Sequence, residues 1–408
     1  MRIIVQKFGG TSVASPEVRQ MVLAKVQDAM NQGYCTVVVV SAMGRKGDPY
    51  ATDTLLTLSK NAYKHIDPRE QDQVMYCGEI ISAVVMTGTL QAAGVDGHML
   101  TGGQAGIITD NNFNNGRILK VDPTRMINLL KMGKTPVVCG FQGVTVDGEF
   151  TTLGRGGSDT TAAALGAALN AELVEIYTDV DGIMTADPRI VKNAKILDQI
   201  SYSEVCQLAH QGAKVIHPRA VEIAMQKNIP LVVKSTFSNA PGTLITNTAA
   251  EETSETAVKD RIATGVTHLP NVAQIKISTD PLKTHNESYK IFRLLADSGI
   301  SIDLINVHPG QVMFTVMEDV AEKAVVELTS QGHDVQMVGD CAKVSVVGGG
   351  MREVPGVMAS FVEALSLNDI TILQTVDSHT SISVLVKMTD VHKAVRALHE
   401  KFSLSDSL

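Results

Sequence analysis

The stretch Thr151-Thr-Leu-Gly-Arg-Gly-Gly-Ser-Asp-Thr-Thr161 decides the fold, and it runs on into Ala162-Ala-Ala-Leu-Gly-Ala-Ala-Leu-Asn170. The second part predicts a helix with small residues all round, which packs tightly against a neighbour. The first part combines three glycines with the N-cap residue types Ser158, Asp159 and Thr160, placed where the helix should begin. A glycine turn that feeds a helix N-terminus attracts an anion, and Arg155 adds two-point recognition of a carboxylate or phosphate.

Composition and charge limit the class of protein. A chain of 408 residues is too long for one core, so two or three domains are expected. The net charge of -8 argues against nucleic acid as a partner. Five cysteines without CxxC spacing are interpreted as reduced core residues of a cytoplasmic protein. The chain starts directly with a strand, so no signal peptide is expected, and no apolar run is read as membrane-spanning, so no membrane partner is predicted.

Strands and helical segments alternate over roughly the first 245 residues. Ile3–Val5 is a short strand that leads into Lys7-Phe-Gly-Gly-Thr-Ser12 and a helix from Pro16, a second anion-binding turn. The apolar run Thr36–Val40 predicts a parallel strand buried on both faces, and Val174–Thr178 predicts another. The pattern indicates an α/β fold with a mainly parallel sheet sandwiched by helices. Ligands of such sheets bind outside the carboxyl ends of the strands, where the glycine turns lie.

The C-terminal part contains an internal repeat. Aligning Ile300 with Ile370 also matches Phe314 with Val384, and each copy is predicted as strand, helix, strand, strand, helix. Two small α+β units are therefore expected after a linker that is rich in Thr, Ala and Glu.

Several charged residues are candidates for chemistry. Lys7 beside two glycines would neutralise a transferring phosphoryl group, although a surface lysine is the plainer alternative. Asp179 and Asp181 after a strand suit a nucleotide with Mg²⁺, and an Asp-Gly turn is the alternative for Asp181. Glu79 within an apolar helix is either paired or functional, and together with Arg155 it suits a zwitterion. No cluster of histidines and cysteines has metal-ligand spacing, so no protein metal site is predicted.

These motifs together resemble the aspartokinase family. The resemblance rests on Lys7-Phe-Gly-Gly-Thr-Ser12, Ser41-Ala-Met-Gly44, Gly140-Phe-Gln-Gly143, the stretch 152–161, Tyr177-Thr-Asp-Val-Asp-Gly182 and Thr185-Ala-Asp-Pro-Arg189. The C-terminal repeat looks like tandem ACT domains, with His285-Asn286 where Pro-Gly is commoner. Residues 45–53 and 373–379 resemble a Bacillus-type branch sensitive to diaminopimelate. The domains implied are a catalytic amino acid kinase domain (1–246), a linker (247–262) and two ACT domains (263–333 and 334–408).

The resemblance implies that ATP and Mg²⁺, held mainly by ATP, phosphorylate L-aspartate to 4-phospho-L-aspartate. It assigns catalysis to Lys7 and Asp159. The residues implied for aspartate are Ser41, Thr52, Glu79, Arg155, Gly156, Gly157, Ser158 and Asp159. Those implied for ATP are Lys7, Phe8, Gly9, Gly10, Tyr177, Thr178, Asp179, Asp181, Met184, Thr185, Arg189 and Lys214. An effector amino acid (lysine, threonine or meso-diaminopimelate) would bind the ACT domains, with Asp303 available for its ammonium, and a homo-oligomer through those domains is expected.

Two alternatives remain open from the residues themselves. One is a kinase of the same fold that acts on another acid, such as glutamate, N-acetylglutamate, carbamate or a nucleotide monophosphate. The other is a non-catalytic amino-acid sensor that carries an inactive kinase domain. Lys7, Glu79, Arg155 and the acidic pair disfavour the sensor.

Overall fold

The computed structural model describes residues 1–213, 215–247, 262–351 and 354–405. They form two compact units. The first consists of Met1–Ile183, Ile196–Ala209 and Lys214–Glu255, and the second of Met184–Lys195, His210–Ala213 and Thr256–Leu408, each taken over its described residues.

The first unit is an α/β domain. Its strands are β1 (Ile3–Phe8), β2 (Cys35–Val40), β3 (Gly97–Leu100), β4 (Ile107–Thr109), β5 (Ile118–Val121), β6 (Thr135–Cys139), β7 (Gln142–Thr145), β8 (Phe150–Thr152), β9 (Leu173–Thr178), β10 (Gln199–Ser201), β11 (Leu231–Ser235) and β12 (Thr243–Thr246). Its helices are α1 (Gly10–Val13), α2 (Pro16–Asn31), α3 (Thr52–Ala62), α4 (Pro68–Ala92), α5 (Thr124–Lys131), α6 (Gly157–Leu169), α7 (Tyr202–His210) and α8 (Pro218–Lys227).

The main sheet has the order β10-β12-β11-β9-β1-β2-β6-β3, and every neighbouring pair is parallel except β11 with β12. Strand β1 lies between β2 and β9, so the glycine turns that follow these strands share one edge. The apolar run of β2 is buried throughout from Thr36 to Val40, which confirms the predicted buried parallel strand. A second sheet has the order β5-β4-β7-β8. Its strands are short, and the sequence did not predict them.

Helix α6 packs closely on the sheet because of its small residues. A Cβ at Gly166 would lie 2.4 Å from Cγ2 of Val174 in β9. Ala162 and Ala163 in the same helix are fully buried. The predicted close-packed helix is therefore present.

Helix α4 differs from the expectation that no apolar run of the chain is long enough to span a membrane. Among the described residues it alone is long and apolar enough to cross a membrane by length and composition, and 44% of its most apolar window is buried inside the protein. The helix packs against β3, β6 and β8, which is the environment of a core helix in a sheet-based domain.

The second unit contains the repeat. Its first copy has β13 (Gly265–Ser278), α9 (Thr284–Asp297), β14 (Asp303–His308), β15 (Gln311–Met317) and α10 (Glu318–Ser330). The second has β16 (Asp334–Val347), α11 (Val357–Ser366), β17 (Gln374–Asp377), β18 (Ser381–Lys387) and α12 (Val391–Lys401). Both copies follow the predicted order of strand, helix, strand, strand, helix.

The two copies share one antiparallel sheet, β14-β15-β13-β16-β18-β17. Strand β13 pairs through Val272–Ser278 with β15, and through Gly265–Leu269 with the second half of β16, which itself pairs with β18. Each copy thus receives a strand from the other. Each also has its own apolar core, around Phe314 in the first copy and Phe361 in the second.

We expect Gly166→Ala to lower the free energy of unfolding by about 1–3 kcal/mol, because its methyl group would overpack Val174. The control is Gly88→Ala in α4, where a Cβ meets nothing within 4 Å. That variant should be neutral or gain up to about 1 kcal/mol from helix propensity. Urea unfolding monitored by circular dichroism measures both, and equal stability of the two variants would contradict the close packing of α6.

Candidate active site

A cavity of about 560 Å³ lies in the first unit at the carboxyl ends of β1 and β2, beside the start of α6. Its walls include nine of the predicted site residues: Lys7, Ser41, Thr52, Glu79, Arg155, Gly156, Gly157, Ser158 and Asp159. These residues come from five separate parts of the chain. The fold therefore brings together the residues that were predicted for aspartate and for catalysis.

Lys7 and Asp159 form an ion pair within this cavity. Nζ of Lys7, near the end of β1, lies 2.7 Å from Oδ1 of Asp159 in the first turn of α6. Their side chains are only 12% and 13% exposed, so water screens the pair less than it screens a surface pair. The pair fixes an ammonium group where β1 and α6 meet.

The glycine turn starts α6 in a different way from the prediction. The N-cap is Gly156 with φ of 69°, and no side chain caps the helix, so the expectation that Ser158, Asp159 or Thr160 would cap it is wrong. The left-handed backbone favours glycine, and a Cβ there would lie 2.3 Å from the His217 side chain. Asp159 is consequently the third residue of the helix, where it pairs with Lys7 instead of capping the backbone.

Glu79 and Arg155 bring a buried acid and an exposed cation to the cavity walls. Glu79 is 2% exposed, and its Oε1 accepts a hydrogen bond from Ala42 N at 3.1 Å, whereas Oε2 is buried without a partner among the described residues. Burial raises the pKa of Glu79 to about 8, and the bond from Ala42 opposes that shift. Arg155 is exposed and forms no ion pair with any residue in the described part of the chain.

The residues predicted for ATP lie partly at the neighbouring strand ends. Phe8 stacks on Tyr177 with ring centroids 4.7 Å apart, and the Tyr177 hydroxyl donates to Glu175. Asp179 pairs with Arg45 at 2.7 Å, and Asp181 accepts from the Ser238 hydroxyl at 2.5 Å. Because β1 and β9 are adjacent and parallel, Gly9 and Gly10 lie at the same edge as Thr178. Of the residues predicted for ATP that the structure describes, Lys7 alone lines the 560 Å³ cavity.

Four remaining predicted residues are not placed with these groups. Met184, Thr185 and Arg189 belong to the second unit, and Lys214 lies outside the described residues. Thr185 is 2% exposed and its hydroxyl is within 3.0 Å of His399 Nε2. Arg189 bonds to both carboxylate oxygens of Asp187. Their assignment to ATP stays a prediction.

The effector candidate Asp303 begins β14 in the second unit. Its Oδ2 pairs with the Lys343 ammonium, whose side chain is buried. Any effector ammonium that binds Asp303 would therefore compete with a cation of the chain itself.

The cavity is also lined by residues that the sequence did not assign to a ligand or to catalysis: Asp53, Leu56, Lys60, Gln71, Met75, Asn114, Phe141 and Gly154. Four of them, from Leu56 to Met75, lie on α3 and α4, two helices that pack against each other. The run Asp110-Asn-Asn-Phe-Asn-Asn-Gly116 was the available signal for a polar loop. Across the described residues, no group of three or more His, Cys, Asp or Glu side chains could hold a metal ion.

The fold and the site define a small-molecule kinase of the α/β type joined to a pair of regulatory α+β repeats. Residues 2–235 match the amino acid kinase family and residues 336–400 match an ACT domain. Aspartokinase 1 of Bacillus subtilis is 49% identical over 405 residues, which covers 99% of this chain and all of the relative.

Two crystal structures of Escherichia coli aspartokinase III are similar along 98% of this chain and 99% of theirs, each with 25% identity. The one with aspartate and ADP (R-state) has a TM-score of 0.79, and the one with lysine and aspartate (T-state) has 0.76. The chain belongs to the aspartokinase family.

The buried Glu79 predicts a pH dependence of stability. Its pKa is raised from 4.5 to about 8 in the folded protein, so its contribution to stability is complete below about pH 4.5 and is lost as the pH rises to about 8. Glu79→Gln stays neutral throughout. We expect the stability of the variant relative to wild type to increase between about pH 5 and pH 8 by on the order of 1–3 kcal/mol.

Urea unfolding at both pH values measures this difference. Glu70→Gln, an exposed position on the same helix, is the control and should show a constant difference. A Glu79→Gln difference that does not change with pH would show that this carboxyl group is not held neutral by burial.

Proposed function

We propose that the chain transfers the γ-phosphoryl group of ATP to the side-chain carboxylate of L-aspartate, giving 4-phospho-L-aspartate and ADP. The single observation that carries the assignment is one cavity lined by the Lys7–Asp159 pair, by the buried carboxyl group of Glu79 and by Arg155, a cation without an ion-pair partner among the described residues. That charge arrangement suits a zwitterion with an additional carboxylate. The E. coli relative bound to aspartate and ADP supports the choice of substrates.

The roles of the side chains follow from their charges. Arg155 offers a fork to a substrate carboxylate. Glu79 accepts the substrate ammonium on its unpartnered oxygen, and that cation favours the ionised form of Glu79. The Lys7 ammonium group exchanges its ion pair with Asp159 for contacts with the phosphoryl oxygens.

The transfer itself needs no general base, because the attacking carboxylate is already ionised. A carboxylate oxygen forms a bond to the γ-phosphorus, the bond from that phosphorus to the β–γ bridging oxygen breaks, and ADP leaves. Catalysis is then positioning plus charge neutralisation, which Lys7 and the backbone around Gly9 and Gly156 supply.

ATP is assigned to the edge formed by β1 and β9, next to Gly10, Thr178 and Asp179. Asp179 and Asp181 each already have a protein partner, Arg45 and the Ser238 hydroxyl. They are therefore suited to contact the water ligands of a hydrated Mg²⁺ that the ATP phosphates mainly hold. The ion would neutralise phosphate charge when bound.

The reaction opens the biosynthetic route from aspartate to diaminopimelate, lysine, threonine and methionine, and we place the enzyme in the cytoplasm. The ACT repeats have no part in the transfer, so we assign them feedback inhibition by an end-product amino acid and assembly of a homo-oligomer. The E. coli relative bound to lysine and aspartate supports an amino-acid effector.

The function is tested by ADP release from wild type with aspartate, glutamate, N-acetylglutamate, carbamate and a nucleotide monophosphate. Aspartate should be the preferred substrate. Turnover of another acid alone would identify a different kinase, and no turnover with any would favour the non-catalytic sensor.

Variants of the cavity should separate chemistry from binding. We expect Lys7→Ala to lower kcat by about 100-fold or more, because its charge acts on the transferring group. Arg155→Ala should raise the KM for aspartate and leave the KM for ATP nearly unchanged. Arg125→Ala, an exposed arginine of α5 outside the cavity, is the control. A near-normal kcat for Lys7→Ala, or a raised KM for ATP with Arg155→Ala, would overturn these roles.

Regulation is tested at Asp303. We expect Asp303→Asn to keep the uninhibited activity and to weaken inhibition, with a coupling loss of about 1–3 kcal/mol. Dose–response curves against lysine, threonine and meso-diaminopimelate, alone and in pairs, measure it, with Asp319→Asn in α10 as the control. No inhibition of wild type would refute regulation, and unchanged inhibition of the variant would place the effector elsewhere.

A further inference from the structure

Two segments that line the cavity are held together from the protein interior. One is the loop 110–116, which places Asn114 in the cavity wall, and the other is the turn 152–157, which carries Arg155. They meet directly through the bond from Gly116 N to Thr152 O at 2.8 Å. The orientation of Arg155 therefore depends on what fixes this junction.

A buried carboxylate binds the amide side of the junction. Asp72 of α4 is fully buried, and its Oδ1 accepts from the Thr152 hydroxyl at 2.6 Å. Its Oδ2 accepts from two backbone amides, Thr152 N and Asn114 N, both at 3.0 Å. One side chain thus joins α4 to both segments. Burial raises the pKa of Asp72, and these three hydrogen bonds oppose that shift.

A half-buried cation binds the carbonyl side of the same junction. Arg219 in the first turn of α8 donates through Nη1 to Leu153 O and through Nη2 to Gly116 O, each at 2.8 Å. Asp72 accepts hydrogen bonds from backbone N–H groups, and Arg219 donates hydrogen bonds to backbone C=O groups, of the same two segments. The pair uses opposite charges to bind backbone groups of both segments through charge-assisted hydrogen bonds.

We propose that Asp72 and Arg219 are paired positioning residues, which together set the orientation of Arg155 and Asn114 toward the substrate. This inference rests on the proposed function. Neither side chain lines the cavity, so both act through the backbone they hold. A displacement of about 1 Å at a substrate-orienting group is enough to cost on the order of 100-fold in rate.

The test compares Asp72→Asn with Asp122→Asn in the full-length enzyme. Asp122 is a matched control, since it accepts from the amide and the hydroxyl of a threonine, Thr124, but lies outside the cavity. We expect Asp72→Asn to lower kcat/KM for aspartate by about 10- to 100-fold, while the KM for ATP stays within about twofold. Asp122→Asn should match wild type.

Two further measurements keep the proposal testable if Asp72→Asn does not fold. Thr152→Val removes the hydroxyl donor and should impair kcat/KM for aspartate, whereas Thr152→Ser keeps that donor and should restore it. Arg219→Lys loses the two-carbonyl fork and should produce the same selective defect as Asp72→Asn.

Hydrogen exchange of the amides in segment 152–157 provides a readout that does not depend on activity. It should be at least about 10-fold faster in Asp72→Asn or Thr152→Val than in wild type, since loss of a buried hydrogen bond of about 1.4 kcal/mol corresponds to that factor. Unchanged exchange with unchanged kcat/KM refutes the proposal. The proposal is also refuted if the KM values for aspartate and ATP change equally. It is refuted as well if the amount of active enzyme falls while both KM values stay normal. Wild type that exchanges normally but does not phosphorylate aspartate would refute only the proposed function.

Discussion

The organising interaction is the ion pair between Lys7 and Asp159. It requires β1 to lie between β2 and β9, so that Lys7 reaches the sheet edge where the glycine turns converge. It also requires α6 to approach the sheet closely, which the small residues of that helix allow. With both conditions met, the Lys7 ammonium group lies in the cavity wall with its side chain only 12% exposed, where its field on a phosphoryl group is stronger than at a fully exposed surface. Arg155, Asp53 and Lys60 line the same cavity.

Helix α4 supplies two buried acidic side chains to this region, separated by two helical turns. Glu79 faces the cavity with one unpartnered oxygen, so a substrate ammonium would complete its interactions. Asp72 is fully used by three hydrogen bonds from the protein. Two buried acids on one helix therefore have different roles. Glu79 is left with an oxygen for the substrate, whereas Asp72 holds the backbone. The unpartnered buried oxygen of Glu79 lowers the stability of the folded protein. Its position at the cavity makes the same oxygen available to bind substrate.

Much of the fold followed from local patterns. The apolar runs of β2 and β9 and the glycine turns placed the sheet edge, and the 70-residue repeat gave the order of β13 to α12. The remainder depended on tertiary contacts. Asp159 was expected among the capping residues because the sequence cannot show that Gly156 adopts φ of 69°. The strands β4 and β8 have only three residues each, too few for periodicity. Asp72 and Arg219 gave no signal, because their partners are distant backbone groups.

The most direct test of the central claim is to identify the atom that receives the phosphoryl group. Wild type is incubated with ATP, Mg²⁺, aspartate and hydroxylamine, which traps an acyl phosphate as a hydroxamate, and the product is identified by mass spectrometry and NMR. The account predicts ATP-dependent formation of the hydroxamate at the side-chain carboxyl of aspartate, and its loss in Lys7→Ala. Release of ADP and inorganic phosphate without a hydroxamate, or a hydroxamate at the α-carboxyl, would contradict it.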